Sequence, residues 1–326
     1  MLLAGDIGGT KSRLAIYREE GGDARLPLYE AVLPSNRFAG IDELLKEFWR
    51  ECREPVTAVV LALAGPVING RSALTNLPWI VDEEQLCRTY GLRSVILLND
   101  LTATAAAVPL LSPTELHTLY PGEQAASGPI AVIAPGTGLG EAFLIREGTR
   151  WQAYATEGGH AGFAPSNSLE AELLKAAWGE TPHVAWEHFC SGPGVGRLYR
   201  FLLSRGADEP EWLGERLKQS GDPAPVITEV ALTERDELCL QTLRLFLSLL
   251  GAEAGNFALK TLAVGGVYLG GGIMPRLLPL LAESGFLSAF QSKGLMTGLL
   301  RRIPVKVILE PRSALIGAAH LGLTGE

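Results

Sequence analysis

The chain has 326 residues, 47% of them hydrophobic and 20% charged, with a formal net charge of −8. That composition excludes a disordered chain, and the acidic balance argues against a nucleic-acid partner, which needs clustered Lys and Arg to neutralise phosphates. The length exceeds the usual size of one hydrophobic core, so two domains with a cleft between them are expected. The four cysteines, Cys52, Cys87, Cys190 and Cys239, lie far apart with no C-x-x-C pair. They read as buried thiols in a reducing compartment rather than as a zinc site or a disulfide framework. No basic leader precedes Asp6, and the apolar run 56–68 is too short and too broken by Gly and Pro to cross a bilayer. A cytoplasmic protein with no membrane partner is therefore expected.

In chain order, 2–17 reads as two short strands joined by Asp6-Ile7-Gly8-Gly9-Thr10, a tight turn whose glycines let backbone amides approach an anion. The pattern suits a phosphate hairpin; an ordinary Gly-rich hairpin has the same signature, and the spacing of a P-loop is missing. A third strand is expected at 29–33. Ile41, Leu44, Leu45, Phe48 and Cys52 recur at helical spacing ahead of Pro55. The near-continuous apolar run 56–64 reads as a strand covered on both faces. Asp82 is a candidate N-cap for a short helix that Gly91 closes. The buried strand 94–98 delivers Asn99-Asp100 at its C-terminal end, where ligands sit in open α/β sheets. A helix is expected from Leu101, with Asp100 as its cap.

The polar segment 112–128 is the expected domain boundary. Strand, Gly/Thr turn and strand then return at 130–147 around Pro135-Gly136-Thr137-Gly138-Leu139-Gly140, which suggests two related halves. A strand at 151–155 leads into Glu157-Gly158-Gly159-His160, a helix covers 168–178, and Glu187 precedes a turn at Ser191-Gly192-Pro193-Gly194. Residues 203–225 read as a surface excursion and 228–261 as helix, with Gly251 and Gly255 allowing close packing on a neighbour. A strand at 267–273 runs into Gly270-Gly271-Gly272 before a helix near Met274-Pro275. A strand at 305–309 and an apolar helix at 313–321 close the chain.

These motifs, in this order, resemble those of the bacterial glucokinases, a hexokinase-like family of sugar kinases in the actin/heat-shock ATPase superfamily, and the resemblance covers essentially the whole chain. It implies an α/β, two-domain actin-like ATPase (ribonuclease H-like) fold with an interdomain cleft. The small domain would be 1–110, with the helix at 312–326 packed back on it, and the large domain 111–311. It implies transfer of the γ-phosphoryl group of ATP to the 6-hydroxyl of D-glucose, with Mg2+ as cofactor, at the first step of glycolysis, in a homodimer. Asp100 corresponds to the catalytic base; Asn99, Asp100, Glu157, His160 and Glu187 correspond to the residues that hold the sugar. Gly5, Asp6, Ile7, Gly8, Gly9 and Thr10 of the first hairpin and Gly136, Thr137 and Gly138 of the second correspond to the phosphate loops. Gly270 and Gly271 match the adenosine-binding region, and Asp6 would meet the metal through water.

Residue chemistry agrees with these assignments. A carboxylate such as Asp6 repels phosphate unless a cation lies between them, although a plain turn residue is the alternative. Asp100 serves equally as a helix cap. A hexose offers a ring of donors and acceptors that carboxylates, an amide and an imidazole match. Lys11 departs from the neutral residue expected after Gly-Gly-Thr and either touches a phosphate or points to solvent. Asn76 matches the sugar pocket only weakly, and His188 matches no role. The competing reading is a non-catalytic sugar-responsive regulator on the same fold. An N-terminal helix-turn-helix has no room ahead of Gly5, the acidic charge disfavours DNA, and no Cys-rich zinc motif follows His160.

Overall fold

The computed structural model describes residues 1–52, 54–123, 125 and 127–325; Gln124 and Ala126 of the segment expected as the domain boundary, and Glu326, which the expected closing helix included, lie outside them. Contacts divide the chain into two compact units, Met1–Ser112 with Ala142–Ala155 and Glu310–Glu326, and Pro113–Glu141 with Thr156–Leu309.

In the first unit, β1 (Leu2–Ile7) and β2 (Lys11–Tyr17) form a hairpin, followed by β3 (Tyr29–Pro34), α1 (Ile41–Glu51) and β4 (Ala58–Leu63). A small antiparallel sheet of β5 (Val67–Ile68), β6 (Arg71–Ala73) and β7 (Ile80–Asp82) comes next, then α2 (Glu83–Tyr90), β8 (Ser94–Asn99) and α3 (Asp100–Ala107). The main sheet runs β3-β2-β1-β4-β8, with β1, β4 and β8 parallel. Alternation along the strands sends Leu3, Ile7, Val59, Leu61 and Leu63 to one face, against Leu44, Leu45 and Phe48 of α1. Leu2, Ala4, Val60 and Ala62 go to the other, against Ala103 and Ala107 of α3. Burial on both faces is why β4 is continuously apolar. Asp82 caps α2 by accepting from Gln85 N at 2.9 Å, and Gly91 ends it with φ 63°.

One boundary differs from the sequence reading. Asn99, extended at φ −66° and ψ 142°, is the cap of α3, its Oδ1 accepting from Leu101 N and Thr102 N, so Asp100 stands inside the first turn. The amide oxygen of Asn99 reaches two of the four orphan donors of that turn, which displaces Asp100 from the cap.

The second sheet runs β12-β11-β10-β13-β14-β9, built from β9 (Leu116–Tyr120), β10 (Ile130–Pro135), β11 (Leu139–Glu147), β12 (Arg150–Thr156), β13 (Gly266–Leu269) and β14 (Val305–Ile308). Strand β9 lies within the connector read as polar: it is a half-exposed edge strand that pairs antiparallel with β14. The helices are α4 (Ser168–Ala177), α5 (Gly192–Ser204), α6 (Glu211–Gln219), α7 (Pro223–Thr233), α8 (Glu237–Thr261), α9 (Met274–Leu281), α10 (Phe286–Gln291), α11 (Thr297–Leu300) and α12 (Ser313–Thr324). The expected turn at 191–194 is the start of α5, capped by Ser191 with Pro193 in its first turn. The expected surface excursion contains α6. The expected single helix over 228–261 is α7 and α8, broken where Arg235 takes φ 58° and Asp236 caps the second by accepting from Cys239 N.

Among the described residues α8 is the one helix long and apolar enough to cross a membrane, but most of its apolar stretch is buried within the protein, as a core helix is. A Cβ on Gly251 or Gly255 would stand 2.3 Å or 2.5 Å from the carbonyl oxygens of Phe286 and Phe290, so both glycines are needed where α10 crosses α8. In the first unit α12 meets α3 the same way: a Cβ on Gly317 would lie 1.7 Å from Ala103 O. Gly317→Ala is therefore expected to destabilise the protein by roughly 1–3 kcal/mol, read as a fall in Tm. An unchanged Tm would rule out this helix contact.

Candidate active site

In the first unit the functional side chains stand at the C-terminal ends of parallel strands. Register places Asp6 of β1 beside Ala62 of β4, and Leu63 beside Asn99 of β8. Asp6 shares the alternation of Leu2 and Ala4, which turns it to the α3 face, where Asp100 begins the helix. Burial, and then the Asp100 carboxylate, push Asp6 up from 3.8 to about 6, offset in part by Arg13 and Lys11. Arg13, opposite Asp6 across the hairpin, is held by Glu30, which also faces Arg312. Asp100 Oδ1 accepts from Leu101 N at 2.8 Å, which orients its carboxylate at the positive end of α3.

The hairpin turn is narrower than the six-residue motif. Gly5 and Ile7 lie in the core; a Cβ on Gly5 would come within 2.8 Å of Leu14 and Leu61, so this glycine serves packing. Gly8, Gly9 and Thr10 form the turn itself, closed by Gly8 N donating to Lys11 O and by Ser35 Oγ donating to Gly8 O at 2.6 Å. Gly9 sits against Asn76, and Lys11 is exposed at the start of β2.

In the second unit the turn Gly136-Thr137-Gly138 closes by Gly136 N donating to Gly138 O at 2.8 Å. It is tied to α5, whose Gly192 N donates to Gly136 O at 2.7 Å, and to Glu187, whose Oε2 accepts from Leu139 N at 2.8 Å. A Cβ on Gly138 would reach that same oxygen, at 2.3 Å. Glu187 thus braces the hairpin, and Ser191 Oγ donates to its carbonyl. The Glu157–His160 turn is brought near by pairing of Gly162 with Ala185 and by a cluster of Phe163, Trp186 and Phe189 rings. Glu157 and His160 are exposed, Nε2 to Oε2 4.0 Å, and His183 Nε2 lies 2.8 Å from His160 O.

The two glycines of this turn are required by its contact with the protein itself. A Cβ on Gly159 would stand 2.0 Å from Leu139 O, and one on Gly158 1.9 Å from Glu141 Oε2, so both let the turn lie directly on β11.

Beside Gly136 and Thr137 opens a cavity of about 940 Å³. Its walls come from the start of α5, from α7 and from α9, with Arg197, Arg200 and Arg276 on a largely apolar lining that includes Val195, Leu232 and Leu277. Sequence reasoning missed the α5 and α7 contributions; Ser191 and Asp222, each followed closely by Pro, were the cap signals that mark them. Gly270 and Gly271 do not line this cavity. Gly271, at φ 80°, lies where a Cβ would meet Pro135 O at 2.6 Å, and the wall is formed by Ile273 and α9 beyond it. His188 is half-buried, its carbonyl accepts from Arg197 Nη1 at 3.2 Å, and burial and then Arg197 push its imidazole down.

Twin Gly/Thr hairpins, each opening a sheet with strand-end acids or helix termini beside it, define an α/β phosphotransferase of the actin-like ATPase fold. A solved glucokinase from an Antarctic psychrotroph matches with a TM-score of 0.84 and 31% identity, covering 100% of this chain and 99% of that one. A ROK-family glucokinase from Streptomyces griseus, solved in complex with glucose and AMPPNP, shares the fold at a TM-score of 0.65 and 21% identity over 98% of each chain. In sequence, a glucokinase from Nostoc punctiforme is 39% identical over 333 residues, 98% of either chain. The glucokinase family model matches residues 3–324, and the chain belongs to the glucokinase family.

The raised Asp6 has a stability consequence. Its folded value of about 6 exceeds the ordinary 3.8, so its contribution to stability is complete below about pH 3.8 and is lost as pH rises through 6. Asp6→Asn, measured without divalent cations, is expected to gain about 3 kcal/mol over the parent at pH 8 and almost no advantage near pH 4. A pH-independent difference in Tm would refute this.

Proposed function

We propose that the protein transfers the γ-phosphoryl group of ATP to the 6-hydroxyl of D-glucose, giving glucose 6-phosphate and ADP. The observation that carries this reading is the placement of Asp100 at the N-terminus of α3 with the raised carboxylate of Asp6 beside it. Phosphoryl transfer needs little covalent help from protein; it needs donors around the phosphates and a positioned hydroxyl. The 6-oxygen of glucose attacks the γ-phosphorus, the bond to the β,γ-bridging oxygen breaks, and the hydroxyl proton passes to Asp100. The orientation given by Leu101 N fixes the Asp100 carboxylate before the sugar arrives.

Asn99, Glu157, His160 and Glu187 are proposed to hold the remaining hydroxyls. Leaving such polar groups unpaired when a hydroxyl is missing costs enough to discriminate between sugars. The turns Gly8 to Thr10 and Gly136 to Gly138 would face the phosphates with the amides not used in closing them, and the arginine-bearing apolar cavity beside Thr137 suits the adenosine end.

A buried carboxylate raised further by a second one nearby, as Asp6 is by Asp100, fits a divalent cation, which would relieve the repulsion. Among the described residues no group of three or more His, Cys, Asp or Glu is placed to hold a metal alone, so Mg2+ would be shared with the nucleotide, Asp6 reaching it through water. When bound, it neutralises phosphate charge. A cytoplasmic homodimer acting at the first step of glycolysis is proposed on the family resemblance alone.

In a coupled assay, Asp100→Asn is expected to lower kcat by ~10²-fold to 10⁴-fold with a small change in glucose KM. Near-normal turnover of this variant, or glucose binding without product in the parent, would overturn the assignment; the second outcome would favour the regulator reading.

A further inference from the structure

The phosphoryl-transfer reading leaves unused a cluster of buried charge in the second unit. Glu141, on β11, is buried, and neither of its carboxyl oxygens has a hydrogen-bond partner among the described residues. Glu253 of α8 lies beside it, fully buried, but is well supplied: Lys260 Nζ donates to its Oε1 at 3.2 Å and Asn256 Nδ2 to its Oε2 at 2.9 Å. The remaining groups of the cluster are accounted for. Lys293 Nζ donates to Ala252 O and Asn256 Oδ1, Glu170 accepts from Ser166 N and Asn167 Nδ2, and the Cys190 thiol is driven up by burial and by the surrounding acids.

Three carboxyls and the ammonium of Lys293 therefore meet in one interior, and Lys260, which reaches in from the surface and faces Glu141, is bonded to Glu253. A lone anion buried without a partner is strongly unfavourable, so the group that takes up a proton is the carboxyl without donors, Glu141. Burial, then Glu253, push it up to about 8. Burial pushes Glu253 upward too, and Asn256 and Lys260 work against that by stabilising its charge.

Glu141 also has a place in the sugar site. Its Oε2 occupies the space a Cβ on Gly158 would fill, its own carbonyl accepts from Thr156 Oγ1 at 3.0 Å, and that hydroxyl accepts from Gly158 N at 3.1 Å. The Glu157–His160 turn thus rests on the Glu141 carboxyl and is tethered to its backbone through Thr156. The other walls around Glu141 are a sheet and the long helix α8, whereas the turn above it is short and carries exposed side chains. The turn lies directly on the carboxyl, so the water that a charged Glu141 demands displaces it.

We propose that Glu141 is held as a neutral acid beneath the Glu157–His160 turn and acts as a positioning residue for it, so that loss of its proton loosens the turn and weakens glucose binding without altering the transfer step. This rests on the reading that Glu157 and His160 hold the sugar.

The test is the ratio of glucose KM at pH 9 to that at pH 7, with kcat and ATP KM followed in parallel. The parent ratio is expected to be at least about threefold, with kcat changing much less, as deprotonation around pH 8 requires. Glu141→Gln, which keeps size and neutrality, is expected to bring the ratio close to one. Hydrogen exchange of the Gly158 to His160 amides, corrected for intrinsic base catalysis, should accelerate over the same range in the parent and supports the proposal even where the variant does not fold. A flat parent ratio, or an alkaline rise that survives in Glu141→Gln, overturns it. A KM that responds to Na+ or K+ at fixed ionic strength, with the response removed by Glu141→Gln, also overturns it, since a bound cation would then be the countercharge. Failure of the underlying reading is distinguishable: it shows as absent glucose phosphorylation at pH 7, or as Glu157→Gln and His160→Asn with unchanged glucose KM.

Discussion

The repulsion between Asp6 and Asp100 is the constraint on which the first unit turns. Left alone, a carboxylate at the end of β1 and another at the start of α3 would separate or share a proton, and Asp6, pushed up by burial and then by Asp100, goes part of that way. What prevents separation is backbone: β1, β4 and β8 run parallel with residues in step, both faces of β4 are buried, and α3 is capped by Asn99 so that Asp100 cannot swing out of the first turn. The packing of α12 on α3 through Gly317 then fixes the helix that carries Asp100. Stability given up at the acid pair is supplied by apolar burial elsewhere in the same sheet, which is the usual relation between a preorganised site and its scaffold.

Glycine has several jobs in this chain, and they do not follow motif boundaries. Gly8 and Gly9 shape the turn that faces outward. Gly5, Gly159, Gly251 and Gly317 each clear space for a neighbouring strand or helix, and Gly271 combines a left-handed conformation with contact on Pro135. A sequence motif rich in glycine therefore reports close approach of backbone to something, and in most of these positions that something is the protein itself.

This is also why some of the molecule was legible in the sequence and some was not. The hairpins, the alternation of β1, the caps of α2 and the strand-end position of Asn99-Asp100 depend on residues near one another in sequence, and their patterns were readable. Strand β9 was not, because it is an edge strand with half-exposed residues whose partner β14 lies far along the chain. The starts of α5 and α7 are rich in Gly and Pro and imitate turns, and with them the cavity beside Thr137 stayed hidden. Glu141 looked like an ordinary charge on a strand; only the fold shows that α8 covers it.

Asp6 and Glu141 are two answers to one electrostatic problem. Each is an acid on a strand of a Gly/Thr hairpin, pushed upward first by burial and next by a second carboxyl. Asp6 keeps partial exposure and has Lys11 and Arg13 near it, so its charge remains attainable near neutral pH and a cation brought with a nucleotide can complete it. Glu141 has no exposed edge, and the ammonium that faces it is taken by Glu253. A proton is then the readiest countercharge. The difference follows from access rather than from residue type: the acid that reaches solvent is suited to meeting a ligand, and the acid sealed beneath Gly158 is suited to holding the loop in which a ligand is met.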